Sequence, residues 1–172
     1  MLARSTSFED LRRSYRLCTT NQWNYAEAKR FIRSGDWRSY VALVAYRPFD
    51  RRWTVLHKNV LTIMRNQVMS QFDVSKERNL GLVSSRAIND LAYAHCFIVR
   101  DRVDKIFISS KTSTNAYVFP LYFSNEDLLG SRRRPNLSHS FMDAVNDALG
   151  PASEPGGTPP KEILSYIYAV LY

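Results

Sequence analysis

An α+β fold, with a mixed central β-sheet and helices at both ends, is predicted by three observations. Apolar residues recur at spacings of three and four near both termini, β-branched and aromatic runs fill the middle, and no internal repeat is present. With 172 residues, 45% apolar and 13% aromatic, the chain can bury a core that offsets the entropy of ordering.

Phe8, Leu11, Tyr15 and Cys18 predict a short amphipathic helix over 8–18, with Arg12, Arg13 and Arg16 on its other face. Asn24 is placed to cap a second helix, Glu27 completes a capping-box pattern and Gly35 ends it. There Ala28, Phe31 and Ile32 face inward, while Lys29, Arg30 and Arg33 face out. Residues 40–46 form a continuous apolar run, the pattern of a buried strand. Arg47-Pro48-Phe49-Asp50 breaks it, because proline fixes φ and pushes the residue before it out of helix. A strand resumes over 52–56, and Val60, Ile63, Met64, Val68 and Phe72 suggest a helix over 59–72.

Short strands are expected over 80–84, 96–100, 105–109 and 116–123. Residues 124–136 are polar, hold Gly130 and the run Arg132, Arg133, Arg134, and predict a loop. Ser138 or Ser140 caps a helix that runs to Leu149 and stops at Gly150-Pro151. Residues 151–160 make a Pro/Gly linker, and Pro160 opens a last helix that reaches Tyr172. Ile163, Leu164, Ile167, Val170 and Leu171 make that helix apolar almost all round, so it must pack against something. The expected division is a helical segment over 1–36, a recognition core over 37–150, and a linker with the final helix over 151–172.

The net charge of +8 is uneven. Residues 1–60 carry 12 basic and 5 acidic side chains, residues 61–134 carry 11 and 7, and residues 135–172 carry 1 and 4. A basic body with an acidic tail points to a polyanion held by the first three quarters of the chain. Of the 24 basic residues 18 are Arg, which can grip a phosphate or a guanine edge with two parallel hydrogen bonds. No apolar stretch approaches the roughly 18 residues of a membrane span, and residues 1–10 lack the apolar segment of a secretory signal. Cys18 and Cys96, with no CxxC pair, point to a reducing cytoplasm. With only His57, His95 and His139 beside them, no zinc site is expected.

Catalytic patterns are sparse. Six glycines, and neither GxGxxG, GxxxxGK[ST] nor an Asn-Pro-Pro-aromatic tetrapeptide, leave no recognisable cradle for a nucleotide cofactor. Asp10 followed by Glu27-Ala28-Lys29 superficially matches a metal-nuclease site. Such a site needs carboxylates converging from adjacent strands, whereas Glu27 falls in a helix and is explained as part of its cap. Each histidine is isolated from an obvious nucleophile and orienting carboxylate, so no catalytic residue and no metal ligand is assigned.

Binding is better supported. Basic and aromatic residues interleave at 12–16, at 37–40 and at 46–53. Aromatics inside apolar runs (Tyr40, Phe97, Phe107, Phe119, Tyr122) are expected in the core. Arg47 and Arg52 instead bracket a turn between two strands, where side chains are presented rigidly.

At these residues the chain resembles a known family. Tyr46-Arg47-Pro48-Phe49-Asp50, followed by Arg52-Trp53, is similar to a signature of the C-terminal specificity domain of type I single-polypeptide (ISP) restriction–modification enzymes and related adenine-specific DNA methyltransferases. Further blocks follow in the same order: Met64-Arg65 with Val68-Met69, Asn79-Leu80-Gly81-Leu82-Val83 with Arg86, and Phe97-Ile98-Val99 with Asp101 and Asp104. Val118-Phe119-Pro120-Leu121-Tyr122 and the closing Tyr166-Ile167-Tyr168-Ala169-Val170-Leu171 complete the resemblance, which covers about residues 37–172.

The resemblance implies a target recognition domain that binds double-stranded DNA in a sequence-specific way. In that family the S-adenosylmethionine-dependent N6-adenine methyltransferase, often with a helicase and nuclease, lies elsewhere in the parent polypeptide. No cofactor is then expected in this chain, which is read as part of a longer polypeptide or a truncated product, without methylation or cleavage of its own. Arg47, Arg52, Arg65 and Arg86 are the expected functional arginines, with Asp50 and Asn79 as orienting partners. Asp50 can pair with Arg47 or Arg52, accept from a cytosine N4, or cap the turn. Arg132, Arg133 and Arg134 are assigned to phosphate contacts. The alternative is a protein-interaction module docking through the last helix, and behind it a metal-dependent nuclease.

Overall fold

The computed structural model describes residues 7–16, 23–62, 64–72, 78–86, 95–108, 115–125, 132–150 and 157–172, with the backbone alone of Asn125 and Arg132. Cys18, Ile63, Ser109, Gly130 and most of the Pro/Gly linker, about which the sequence makes expectations, lie outside the described residues. Two compact units are distinguished, Met1–Ala42 with Thr54–Met64, and Leu43–Trp53 with Arg65–Tyr172.

In the first unit, α1 (Phe8–Tyr15) starts where the Ser7 hydroxyl accepts from the Asp10 amide. It ends as Arg16 turns left-handed at φ 52°. Leu11 is buried, and the Phe8 ring lies 4.5 Å from that of Tyr25. The second helix, α2 (Tyr25–Ser34), is capped as the sequence predicts: Asn24 Oδ1 accepts from the amides of Ala26 and Glu27. Gly35 closes it at φ 86°, a conformation that costs glycine nothing. A 3-10 turn, Asp36–Tyr40, then leads into the strands. His57 is occupied structurally, its ring stacked 3.9 Å from Phe31 and its Nδ1 accepting from the Asn59 amide.

The fold class is α+β, and among the described residues the strands fall into three small sheets instead of one central sheet. In the first, β1 (Val41–Arg47) lies between β2 (Asp50–Val55) and β5 (Arg102–Val103), which runs parallel to it with Ala45 opposite Val103. In the second, β3 (Gly81–Ser84) is flanked by β4 (Phe97–Val99) and β6 (Tyr117–Pro120), both antiparallel to it. The third is the antiparallel ribbon of β7 (Tyr122–Asn125) and β8 (Arg132–Pro135). Ala45, Phe72, Val83, Val99, Val103 and Phe107 form one buried cluster that joins the first two sheets. Each Val or Phe in it contributes roughly 1.5–3 kcal/mol by leaving water.

Of the aromatics expected in the core, Tyr40 and Phe119 are exposed, and four further local expectations need correction. The helix expected over 59–72 shrinks to α3 (Asn66–Met69) plus a 3-10 turn, Ser70–Phe72, because Arg65 adopts a left-handed backbone at φ 43° that blocks helical propagation from the N-terminal side. The strand expected over 105–109 is a turn, in which the Phe107 amide donates to the Asp104 carbonyl and Phe107 drops into the core. Along β1 only Ala45 is fully buried, so this strand is half-covered where a fully buried one was expected. Arg132 to Arg134, expected in a loop, lie on β8.

The last helices follow their predicted signals. In α4 (His139–Leu149) the Ser138 hydroxyl accepts from the Phe141 amide. Asn146 Oδ1 accepts from the Thr158 amide just before α5 (Pro160–Leu171), which opens on proline. Ile163 and Leu164 of α5 are buried, while Tyr166 and Val170 are exposed, so its apolar surface is covered on one side only. Among the described residues no helix is long and apolar enough to cross a membrane.

Candidate nucleic-acid interface

The hairpin of β1 and β2 turns at Pro48-Phe49 and carries three arginines, Arg47 at the end of β1 and Arg51 and Arg52 on the edge strand β2. Arg47 ends β1 with its guanidinium 2.9 Å from Asp104 Oδ1. The same oxygen accepts from the Ile106 amide, and the Asp104 amide donates to the Ala45 carbonyl. Arg47 is only 18% exposed in its side chain, so this ion pair ties β1 to the turn after β5 and leaves the guanidinium little freedom to reach outward.

Arg52 is placed differently. Asp50 and Arg52 are two apart on β2 and share a face. Arg52 Nη2 lies 2.8 Å and Nε 3.0 Å from Asp50 Oδ2, and the guanidinium carbon stands 4.0 Å from the Tyr46 ring centroid. The side chain is 59% exposed. The hydrogen bond it donates to Asp50 holds the guanidinium above its ordinary pKa, so it stays charged at any physiological pH. Two sides of the group are fixed, by a carboxylate and by an aromatic face, and its remaining N–H donors point away from Asp50. Of the alternatives open for Asp50 in the sequence, the structure records pairing with Arg52.

Arg51, which motif reading passed over, is gripped side-on by Asp101, Nε to Oδ2 at 2.7 Å and Nη2 to Oδ1 at 3.0 Å. The partner lies fifty positions away, so the visible signal was Arg51's place on a strand next to a turn. Exposed pairs of this kind add about 0–1 kcal/mol to stability. What they do fix is where the guanidinium points.

The other expected residues are dispersed over further elements. Arg65, exposed, precedes α3, and its carbonyl accepts from the amides of Val68 and Met69. Arg86, exposed beyond β3, stacks 4.8 Å from the Tyr117 ring centroid. Arg133 is half-buried over Tyr122 at 5.1 Å, and Arg134 is exposed. Alternation along β8 therefore gives successive arginines different faces.

Asn79, expected as an orienting partner for the arginines, is bonded to backbone groups. It is 2% exposed, and both of its amide protons are donated to carbonyls, of Gln71 and Tyr122. Its Oδ1 accepts from the amides of Leu80 and Tyr122. With the capacity of the side chain spent, it pins the start of β7 to the chain before β3. Asn136 acts at the same end of the ribbon, on the β8 side, donating to the Pro120 carbonyl. The arginine-bearing ribbon is thus anchored at one end by two side-chain amides, of which Asn79 is buried. Among the described residues no three His, Cys, Asp or Glu side chains are grouped to hold a metal ion, and nothing else supports the nuclease alternative.

These features, a basic chain whose exposed arginines are oriented by carboxylates and aromatic rings, define a recognition module. The family model for the type ISP C-terminal specificity domain matches residues 3–172, and the chain belongs to that family, whose role is target recognition in restriction–modification. The match extends further toward the N-terminus than the residues that first suggested the resemblance. No curated protein and no solved structure matches the chain.

Proposed function

We propose that this chain binds double-stranded DNA and reads its target sequence for a polypeptide whose S-adenosylmethionine-dependent N6-adenine methyltransferase lies in another segment. No glycine-rich loop or Asn-Pro-Pro-aromatic tetrapeptide here fits that cofactor, so it is assigned to the other segment. The observation that carries the proposal is the exposed Arg52 guanidinium, held by Asp50 and Tyr46 with donors to spare. A guanidinium fixed in this way suits the two acceptors on the major-groove edge of guanine. Arg51 has a comparable carboxylate orienter, while Arg47, paired with Asp104, acts as a positioning residue behind them. Arg65, Arg86, Arg132, Arg133 and Arg134 are assigned to phosphates, which fix register and carry most of the salt dependence.

A gel-shift series with duplex DNA over rising salt and heparin tests the proposal. The expected result is a linear fall of log K with log salt, of slope about −0.9 per phosphate neutralised, with part of the binding resisting heparin. Binding abolished by trace heparin at low salt would mean that the charge serves no duplex-specific contact.

A further inference from the structure

Phe49 is the least comfortable residue in the hairpin. Pro48 holds φ negative and Phe49 follows at φ 65°, the order of signs a type II turn demands and a position normally filled by Gly or Asn. A bulky side chain in the left-handed region is strained, and strain of this kind persists where the surroundings or the function enforce it. Burial does not compensate, because Phe49 is 99% exposed. Among the described residues its ring makes an edge-on approach to Phe97, centroids 6.5 Å apart, and Phe97 in turn meets the core residue Phe107 at 5.5 Å. An apolar ring is thus carried at the tip of a hairpin at a cost to the folded state.

The surroundings say what it faces. Residues 47–52 and 100–105, linked by the Arg47–Asp104 and Arg51–Asp101 pairs, hold six basic side chains (Arg47, Arg51, Arg52, Arg100, Arg102, Lys105) against three acidic ones. Net positive charge on the two linked segments, one of which carries the exposed aromatic, suits a polyanion whose interior is apolar and stacked. We propose that Phe49 is a wedge that enters the base stack of the target duplex and opens one base step, next to the base edge that Arg52 reads. Apolar wedges of this kind unstack a step and bend DNA by about 20–90°. The inference rests on the duplex-binding proposal above and adds to it a deformation of the target that needs no base-edge contact.

The test uses a duplex selected by the full chain from a randomised pool, with 2-aminopurine placed at each position in turn. The parent is expected to raise 2-aminopurine fluorescence several-fold at one step. Phe49→Gly is expected to leave that step at the fluorescence of free duplex and to weaken binding, while its urea midpoint stays equal or rises, since glycine relieves the turn. If no duplex is enriched, the duplex-binding proposal itself fails. If the parent binds without any rise in fluorescence, or Phe49→Gly gives the parental rise, the wedge alone is overturned and the ring belongs to a protein contact. A lower urea midpoint for Phe49→Gly also overturns it, by showing that the ring serves folding.

Discussion

Asn79 shows how much one buried side chain can decide. Its amide makes four hydrogen bonds that bridge the segment before β3 to β7. Asn79→Ala should lower unfolding free energy in urea by about 2–3 kcal/mol, the cost of orphaning buried backbone groups. DNA affinity per folded molecule should be unchanged. Cys96 gives a second residue-level expectation. It is 1% exposed, and burial pushes its thiol above the ordinary 9.0. The fold therefore favours the neutral thiol, so the stability tied to it is complete below pH 9.0 and is lost as pH climbs through the raised value. Urea midpoints should fall across that alkaline window and fall less in Cys96→Ala. Neither role was legible in sequence: Asn79 read as a polar member of a motif, and what turns it inward is a contact with Tyr122, forty-three positions on. Arg52 was legible, because its orienter Asp50 is two residues away on the same strand face.

At the scale of elements, local signals succeeded where they had local causes. Asn24, Gly35, Ser138 and Pro160 each start or stop a helix by a mechanism confined to one turn, and all four stand where the sequence places them. The failures have non-local causes. Three successive arginines carry no apolar alternation, so β8 is invisible until Tyr122 and Phe123 are seen to pair with it. The strand expected over 105–109 failed because Phe107 leaves the surface for the core, and its apolar period mimicked a strand. Packing between elements yields another prediction. A methyl group at Gly81 would stand 2.5 Å from Cζ of Phe72, a ring 3% exposed and unable to swing aside. Gly81→Ala should cost about 1–3 kcal/mol in urea denaturation through overpacking. On the ribbon, Arg134→Ala should reduce the slope of log K against log salt by about 0.9 and weaken all duplexes alike.

For the whole molecule, fold class was legible because helical and strand periodicities segregate along the chain. The partition into three small sheets was not, since it depends on which strands pair: β1 takes β5 as a parallel neighbour across more than fifty residues, and β3 takes β4 and β6. The charge distribution read from the sequence is a property of the chain and survives folding, with the excess on residues 1–134 and a deficit on 135–172. Its carboxylates are not mere diluents, for Asp50, Asp101 and Asp104 each orient an arginine. The central claim is that oriented arginines on the hairpin choose the DNA sequence, and it is tested most directly by sequencing the duplexes that the parent chain and Arg52→Ala each retain from a randomised library. The account predicts one consensus for the parent and the same consensus relaxed at a single base pair for the variant, a loss of about 1–3 kcal/mol of discrimination there. Retention of all sequences alike by the parent, or an unaltered consensus in Arg52→Ala, would contradict it.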